Sequence, residues 1–316
     1  MVFGKRRRGL ANSGEEEGPA LENAIRDDDA ATELLPRPLF AVAVVLVCFV
    51  LLQVLTVLFS FLLGFSYALA PAFIVGGIVP ALLVARWMAR SPRACLRLFP
   101  VRPLPLVFCV GASFSFVVLQ YNVASLIEKL FPMPTWIQDF LIEIIRVRSF
   151  AEFIKVASGV VVAAAIAEEL LFRGVLQGSL ENRYGRWRGI LLTSLLFALL
   201  HDPWRFVPIL FIGGLFGYLV SRGHSIYYGM VAHAITNSTS VAGGNLFGVK
   251  PGKEIYLPLS FVVLMAALFI VSIWGFVRST RFVRSTQKEV PVSPPSSVLE
   301  KSPRQVGDNS QHFESQ

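Results

Sequence analysis

The sequence predicts an all-α fold, a multi-pass transmembrane helical bundle of about eight spans with one amphipathic helix at the membrane interface. Three observations predict it. Of 316 residues, 54% are hydrophobic, and they gather in blocks that approach or exceed the ~20 residues needed to cross a bilayer. Only 16% are charged, against about 25% in ordinary soluble domains. The formal charge of +8 comes largely from arginines in short stretches between apolar blocks, which mark topology and not a nucleic-acid surface. Cys48, Cys95 and Cys109 show neither metal-ligand nor disulfide spacing. No cleavable signal is evident, since the first apolar run is long for a signal core.

Residues 1–36 carry KRRR, EEE and DDD clusters and read as a disordered cytosolic tail. Residues 284–316, rich in Ser, Pro, Gln and charge, read the same way. Residues 37–283 form the membrane domain, with a core of interest at about 150–245. The expected spans are 39–63, 67–88, 104–124, 152–180, 188–201, 205–221, 225–241 and 256–277. The fifth and seventh are short for a crossing. Between spans three and four, TWIQDFLIEIIRVR sets Trp136, Ile137, Phe140, Leu141, Ile144 and Ile145 on one helical face and Asp139, Glu143, Arg146 and Arg148 on the other. It reads as an interfacial helix or, equally, as a helix packed on a bundle end, with Thr135 and Gln138 placed to form a capping box.

Arginines fix the expected orientation. Clusters at 5–8, 86–102, 183–188, 222 and 278–284 all fall on one side of an eight-span chain. Short cytosolic loops are enriched in Lys and Arg, so both termini are expected in the cytosol and the protein in a cell (inner) membrane. Membrane lipid is a partner; nucleic acid is not; no oligomeric state follows from the sequence.

Ionisable groups inside spans are costly and need a reason. In spans four to seven they are Glu168, Glu169, Arg173, His201 and His233, accompanied by Asn237. Measured from the loop at 182–188, Glu168 and His201 both lie roughly 20 Å along their helices, and His233 and Asn237 lie roughly 16 and 22 Å past Arg222. Four polar side chains on three helices therefore meet at one level. Glu169 and Arg173 are i,i+4 and can pair, which leaves Glu168 free for another partner. Phe197 can wall His201, and His233 and Asn237 share a face. His224 and His312 fall in a loop and a tail; Ser158, Gln177 and Ser194 read as helix-bundle glue.

Such a set fits hydrolysis. A carboxylate and an imidazole sharing a water make a general base. A second His and an Asn can hold the oxyanion of a tetrahedral intermediate. Glu168, His201 and His233 equally supply the two-His, one-carboxylate set of a zinc site, although HExxH is absent. Composition does not separate the two, and the metal-free version is preferred. Intramembrane Glu and His also build proton relays, but no inverted repeat supports a transporter.

Glu168-Glu169 with Arg173 matches EExxxR, Phe197 with His201 matches FxxxH, and His233 with Asn237 matches HxxxN. In this order, over about residues 155–240, the chain resembles the intramembrane CAAX-protease and bacteriocin-processing family, also called CPBP or Abi. The resemblance implies an endopeptidase that cleaves a membrane-associated, in some members lipidated, polypeptide, with its site inside the bundle and open toward the cytosol and lipid. It implies that Glu168 activates water with His201, that His233 and Asn237 form the oxyanion site, and that Glu169, Arg173 and Phe197 support them. The resemblance brings no certain cofactor: family members are often called metalloproteases, which keeps zinc as the alternative. A non-catalytic scaffold or bacteriocin self-immunity protein of the same fold is the competing function.

Overall fold

The computed structural model describes residues 35–88, 91–246, 248 and 256–288, and every element among them is helical. The helices in order are α1 Pro38–Leu63, α2 Phe65–Phe73, α3 Val79–Met88, α4 Pro92–Cys95, α5 Pro103–Leu130, α6 Thr135–Ile145, α7 Phe150–Val156, α8 Ala164–Glu169, α9 Gln177–Tyr184, α10 Arg186–Leu199, α11 Phe206–Gly223, α12 Ile226–Leu246 and α13 Leu259–Lys288. Contacts divide the chain into units Met1–Thr280 and Arg281–Gln316, and the hydrophobic core lies within the first. Residues 1–34 and 289–316, most of both expected tails, lie outside the described residues, and α13 continues past the expected boundary at 283 to Lys288.

Each expected span coincides with helix. Six are long and apolar enough to cross a membrane: Pro38–Leu63, Tyr67–Met88, Pro103–Leu130, Phe150–Tyr184, Pro203–Gly223 and Leu259–Thr280. The two that fall short are α10, only 14 residues long, and α12, 21 residues long but rich in Ser, Thr, Asn and Gly. His201 follows the end of α10 by two residues and His233 lies within α12, so both weak spans lead to residues of interest. Neighbours compensate: α10 packs between α9 and α11, and α12 packs on α5, α8 and α11. The count of about eight spans is thus approximate, six by composition and two sheltered by the others.

Local signals explain the helix ends. Proline opens α1 and α5, where its missing N–H costs no hydrogen bond. Ser149 caps α7 by accepting from the Glu152 amide, and Glu152 in turn accepts from the Arg148 amide. The expected box at Thr135 and Gln138 does not form. Pro134 occupies the cap position of α6, and the Gln138 amide reaches back to the Met133 carbonyl. A prolyl residue has no side-chain acceptor, and Thr135 is already inside the helix. Gly185, at φ +84, makes the tight turn between α9 and α10, a conformation that disfavours any other residue.

Three π-helical turns interrupt the spans: Ile74–Ile78, Ala157–Ala163 and Leu170–Leu176. The last two bracket α8, the six-residue segment that ends in Glu168 and Glu169. Wide turns of this kind leave carbonyls unspent and recur at functional sites. No periodicity in the sequence announced them.

Candidate functional site

The site is built outward from Glu169. Its side chain and that of Arg173 are both fully buried, with Arg173 Nη1 3.0 Å from Glu169 Oε1. Arg173 Nη2 donates to the Gly213 carbonyl of α11 at 3.2 Å. One turn on, Gln177 Nε2 donates to the Gly217 carbonyl at 3.0 Å. The 150–184 span and α11 are thus pinned at two successive levels. The guanidinium also lies over Phe197, 4.5 Å from the ring centre, and over Phe216 at 5.4 Å. These contacts offset the cost of burying a charge, which is several kcal/mol for an unpaired ion.

The same Glu169 oxygen receives His233. Nδ1 of His233 lies 3.1 Å from Glu169 Oε1, so the ring donates there and turns Nε2 toward Glu168, 3.8 Å from its Oε2. Phe216 stacks on the imidazole at 5.1 Å and Phe197 meets it edge-on at 6.1 Å. Close approach of α12 needs a glycine: a Cβ on Gly229 would stand 2.5 Å from Glu169 Oε2.

Glu168 differs from its neighbour. Its side chain is 20% exposed, and its Oε2 has no hydrogen-bond partner. It lines a cavity of about 180 Å³ together with His201. Apart from Gln53, the rest of the wall is apolar, including Cys48, Phe49 and Leu52 of α1 and Phe73, Gly76 and Gly77. His201 Nδ1 is 2.7 Å from the Phe197 carbonyl. With Nδ1–H donating to that carbonyl, Nε2 is left as the acceptor. Phe197 packs on His201 at 4.7 Å and on Phe172 at 4.9 Å, so one ring supports both histidines and the arginine.

Asn237 lies one turn beyond His233 on α12, and its Nδ2 donates to the Val160 carbonyl at 2.8 Å. That carbonyl belongs to the π-helical turn before α8. The amide therefore ties α12 to the glutamate span and keeps one N–H in hand. Residue spacing did not reveal this bond, nor Gly213, Phe216 and Gly229. Only the glycine run of α11 hinted at close helix packing.

The donors do not fit a metal as they stand. Among the described residues no three His, Cys, Asp or Glu side chains are grouped to hold one. His201 Nδ1 is held by the Phe197 carbonyl and His233 Nδ1 by the Glu169 carboxylate, so each ring has only Nε2 to offer. The arrangement instead offers one partly exposed carboxylate, one acceptor imidazole and one buried, braced imidazole around a small apolar cavity.

Known proteins share part of this sequence. Residues 150–239 match the family described as "Type II CAAX prenyl endopeptidase Rce1-like". An Escherichia coli protein named "Uncharacterized 24.3 kDa protein" is 25% identical over 169 residues, 53% of this chain and 73% of that protein. No solved structure matches.

Proposed function

We propose that the chain, whose residues 150–239 match the CAAX prenyl endopeptidase family, is an intramembrane endopeptidase that hydrolyses a peptide bond of a membrane-associated polypeptide with glutamate-activated water. One observation carries the reading: Glu168 and His201 line one cavity, and Glu168 is partly exposed while Glu169 is fully buried and ion-paired with Arg173.

In this mechanism a water sits between the Glu168 carboxylate and His201 Nε2. Glu168 takes a proton as the water oxygen attacks the scissile carbonyl carbon. The oxyanion so formed accepts from His233 and from the remaining N–H of Asn237. His233 can donate through Nε2 only as the imidazolium, with Nδ1–H held by Glu169. Collapse of the intermediate breaks the C–N bond, and the proton on Glu168 passes to the leaving amine. One water is consumed, and an acid and an amine are released. Each step runs through side chains and water. Arg173 and Phe197 touch no reacting atom and act by positioning.

The test is comparative analysis of peptide termini in membranes holding wild type, no protein, or Glu168→Gln. General-base catalysis contributes about 10²–10⁴-fold, so the variant should fold normally and lose cleavage by at least the lower figure. Wild-type activity should survive exhaustive treatment with a metal chelator. Equal sets of termini in all three membranes, with the cellular phenotype rescued by Glu168→Gln, would replace the peptidase by the scaffold or self-immunity reading. Loss of activity to the chelator, restored by zinc, would replace the metal-free mechanism.

A further inference from the structure

Of the six spans long and apolar enough to cross a membrane, α1 has the highest mean hydropathy, 3.0. It carries no charge, and its polar side chains are Gln53, Thr56 and Ser60. Thr56 and Ser60 spend their hydroxyls one turn back, on the carbonyls of Leu52 at 2.8 Å and of Thr56 at 2.5 Å. Among the described residues no hydrogen bond holds the Gln53 amide. Counted from Pro38 and from Leu63, Gln53 lies roughly 22 and 15 Å from the ends of its helix. At that depth an amide without a partner is costly, because hydrocarbon offers it none.

Packing of α1 does not explain the residue. The helix buries Ala41, Val45, Cys48 and Thr56, and Gln53 stands exposed on the flank of that face. The π-helical turn Ile74–Ile78 explains where it sits. A Cβ on Gly76 would stand 3.0 Å from Leu52 Cα, and a Cβ on Gly77 would stand 2.7 Å from Ala167 Cβ. Two adjacent glycines thus let one turn lie flush against α1 on one side and α8 on the other. The residues that follow Leu52 and Ala167 are Gln53 and Glu168. Both line the cavity that His201 also lines. The turn therefore sets the glutamine of α1 and the glutamate of α8 at one level around a shared space.

The chemistry of that space limits what the amide can serve. A primary carboxamide has an acceptor oxygen and two N–H donors. A peptide unit presents one N–H and one C=O, so the two groups can pair twice. The rest of the wall, with Phe49, Phe73, Leu171, Phe172 and Leu200, supplies no such pair. A main chain entering it leaves its hydrogen bonds to water behind and needs replacements.

We propose that Gln53 is a substrate-binding residue, whose carboxamide pairs with a peptide unit of the polypeptide beside the bond to be cleaved. This rests on the peptidase reading. It extends the site beyond residues 150–239 to α1 and to the Gly76–Gly77 turn.

The test uses the full-length protein in liposomes. The substrate is a synthetic peptide spanning a cleavage site whose termini vanish in Glu168→Gln membranes. Gln53→Met keeps length and bulk and removes both hydrogen-bonding functions. KM should rise about tenfold with kcat held within about twofold, as for a contact equally strong in substrate and transition state. Gln53→Asn, with the same amide on a shorter stem, should recover part of the loss. The peptide should also bind about tenfold more weakly to Glu168→Gln, Gln53→Met than to Glu168→Gln alone, a comparison free of turnover. Neither Gln53 variant should melt lower than wild type, since α1 gives up no internal bond. Unchanged KM and binding in Gln53→Met would overturn the proposal. A lower melting temperature with unchanged KM would do the same and make the residue structural. Glutamines also join helices in membranes, so a wild-type oligomer that dissociates in Gln53→Met at unchanged KM would assign the amide to an interface between copies. Absence of any Glu168-dependent termini would retire the peptidase and this proposal together, whereas such termini with unchanged KM would retire the role of Gln53 alone.

Discussion

Two adjacent glutamates have opposite fates because successive residues on a helix point about 100° apart. Glu169 turns inward and is held by Arg173 and His233. Glu168 turns to the cavity and stays partly exposed. Arg173 is the keystone of the buried half. Removing one partner of a buried ion pair costs about 3–5 kcal/mol, whereas replacing both by apolar groups can be nearly neutral. Arg173→Leu should therefore destabilise by about 3–5 kcal/mol, read as a lower melting temperature in detergent. The double variant Arg173→Leu, Glu169→Leu should recover part of that loss. A single variant as stable as wild type would show that the pair does not hold the fold together. The sequence identified the pair through its i,i+4 spacing. It did not identify Gly229 or Phe216, which come from helices far along the chain and meet Glu169 and His233 only in three dimensions.

At the scale of elements, the site depends on irregularity. Two π-helical turns isolate α8, and one of them presents the Val160 carbonyl to Asn237. Their cause is tertiary, since a wide turn trades helical hydrogen bonds for contacts with neighbours, and no local pattern records that exchange. The amphipathic helix is the contrasting case. Its period was legible, and α6 spans Thr135–Ile145 with no buried residue. Trp136 is 71% exposed and Phe140 rests on Phe65. An apolar face open to the surroundings suits the headgroup boundary. In bilayers, Trp136 should therefore be quenched by lipids brominated near the headgroup. Trp136→Phe should remove that component of quenching while leaving stability within about 0.5 kcal/mol. Quenching unchanged by the substitution would place α6 away from lipid.

For the whole molecule, burial of the short α4 segment matters as much as the site. Cys95 sits in α4, outside the spans, and burial pushes its thiol up to about 11, against a smaller opposing pull from Arg97. A free thiol titrates near 8.5. Because the folded value is the higher, the contribution to stability is intact below about 8.5 and is lost as pH climbs toward the folded value. At pH 8 a thiol-reactive dye should therefore label Cys95 only as the protein melts. The melting temperature should fall as pH rises from about 8.5 toward the folded value. Rapid labelling of Cys95 at low temperature would show that the α4 segment does not seal the bundle.

The sequence alone determined the class of the molecule. Apolar blocks of membrane-crossing length leave little but a helical bundle, because backbone polar groups in hydrocarbon must be satisfied within the segment. It also determined the polar residues that meet at one depth, since helical rise converts spacing into distance. Tertiary structure decided the rest. It chose which glutamate is fully buried and which faces the cavity, and it engaged Asn237 with Val160. Those outcomes turn on hydrogen bonds and packing between helices far apart in the chain, which no local pattern of residues encodes.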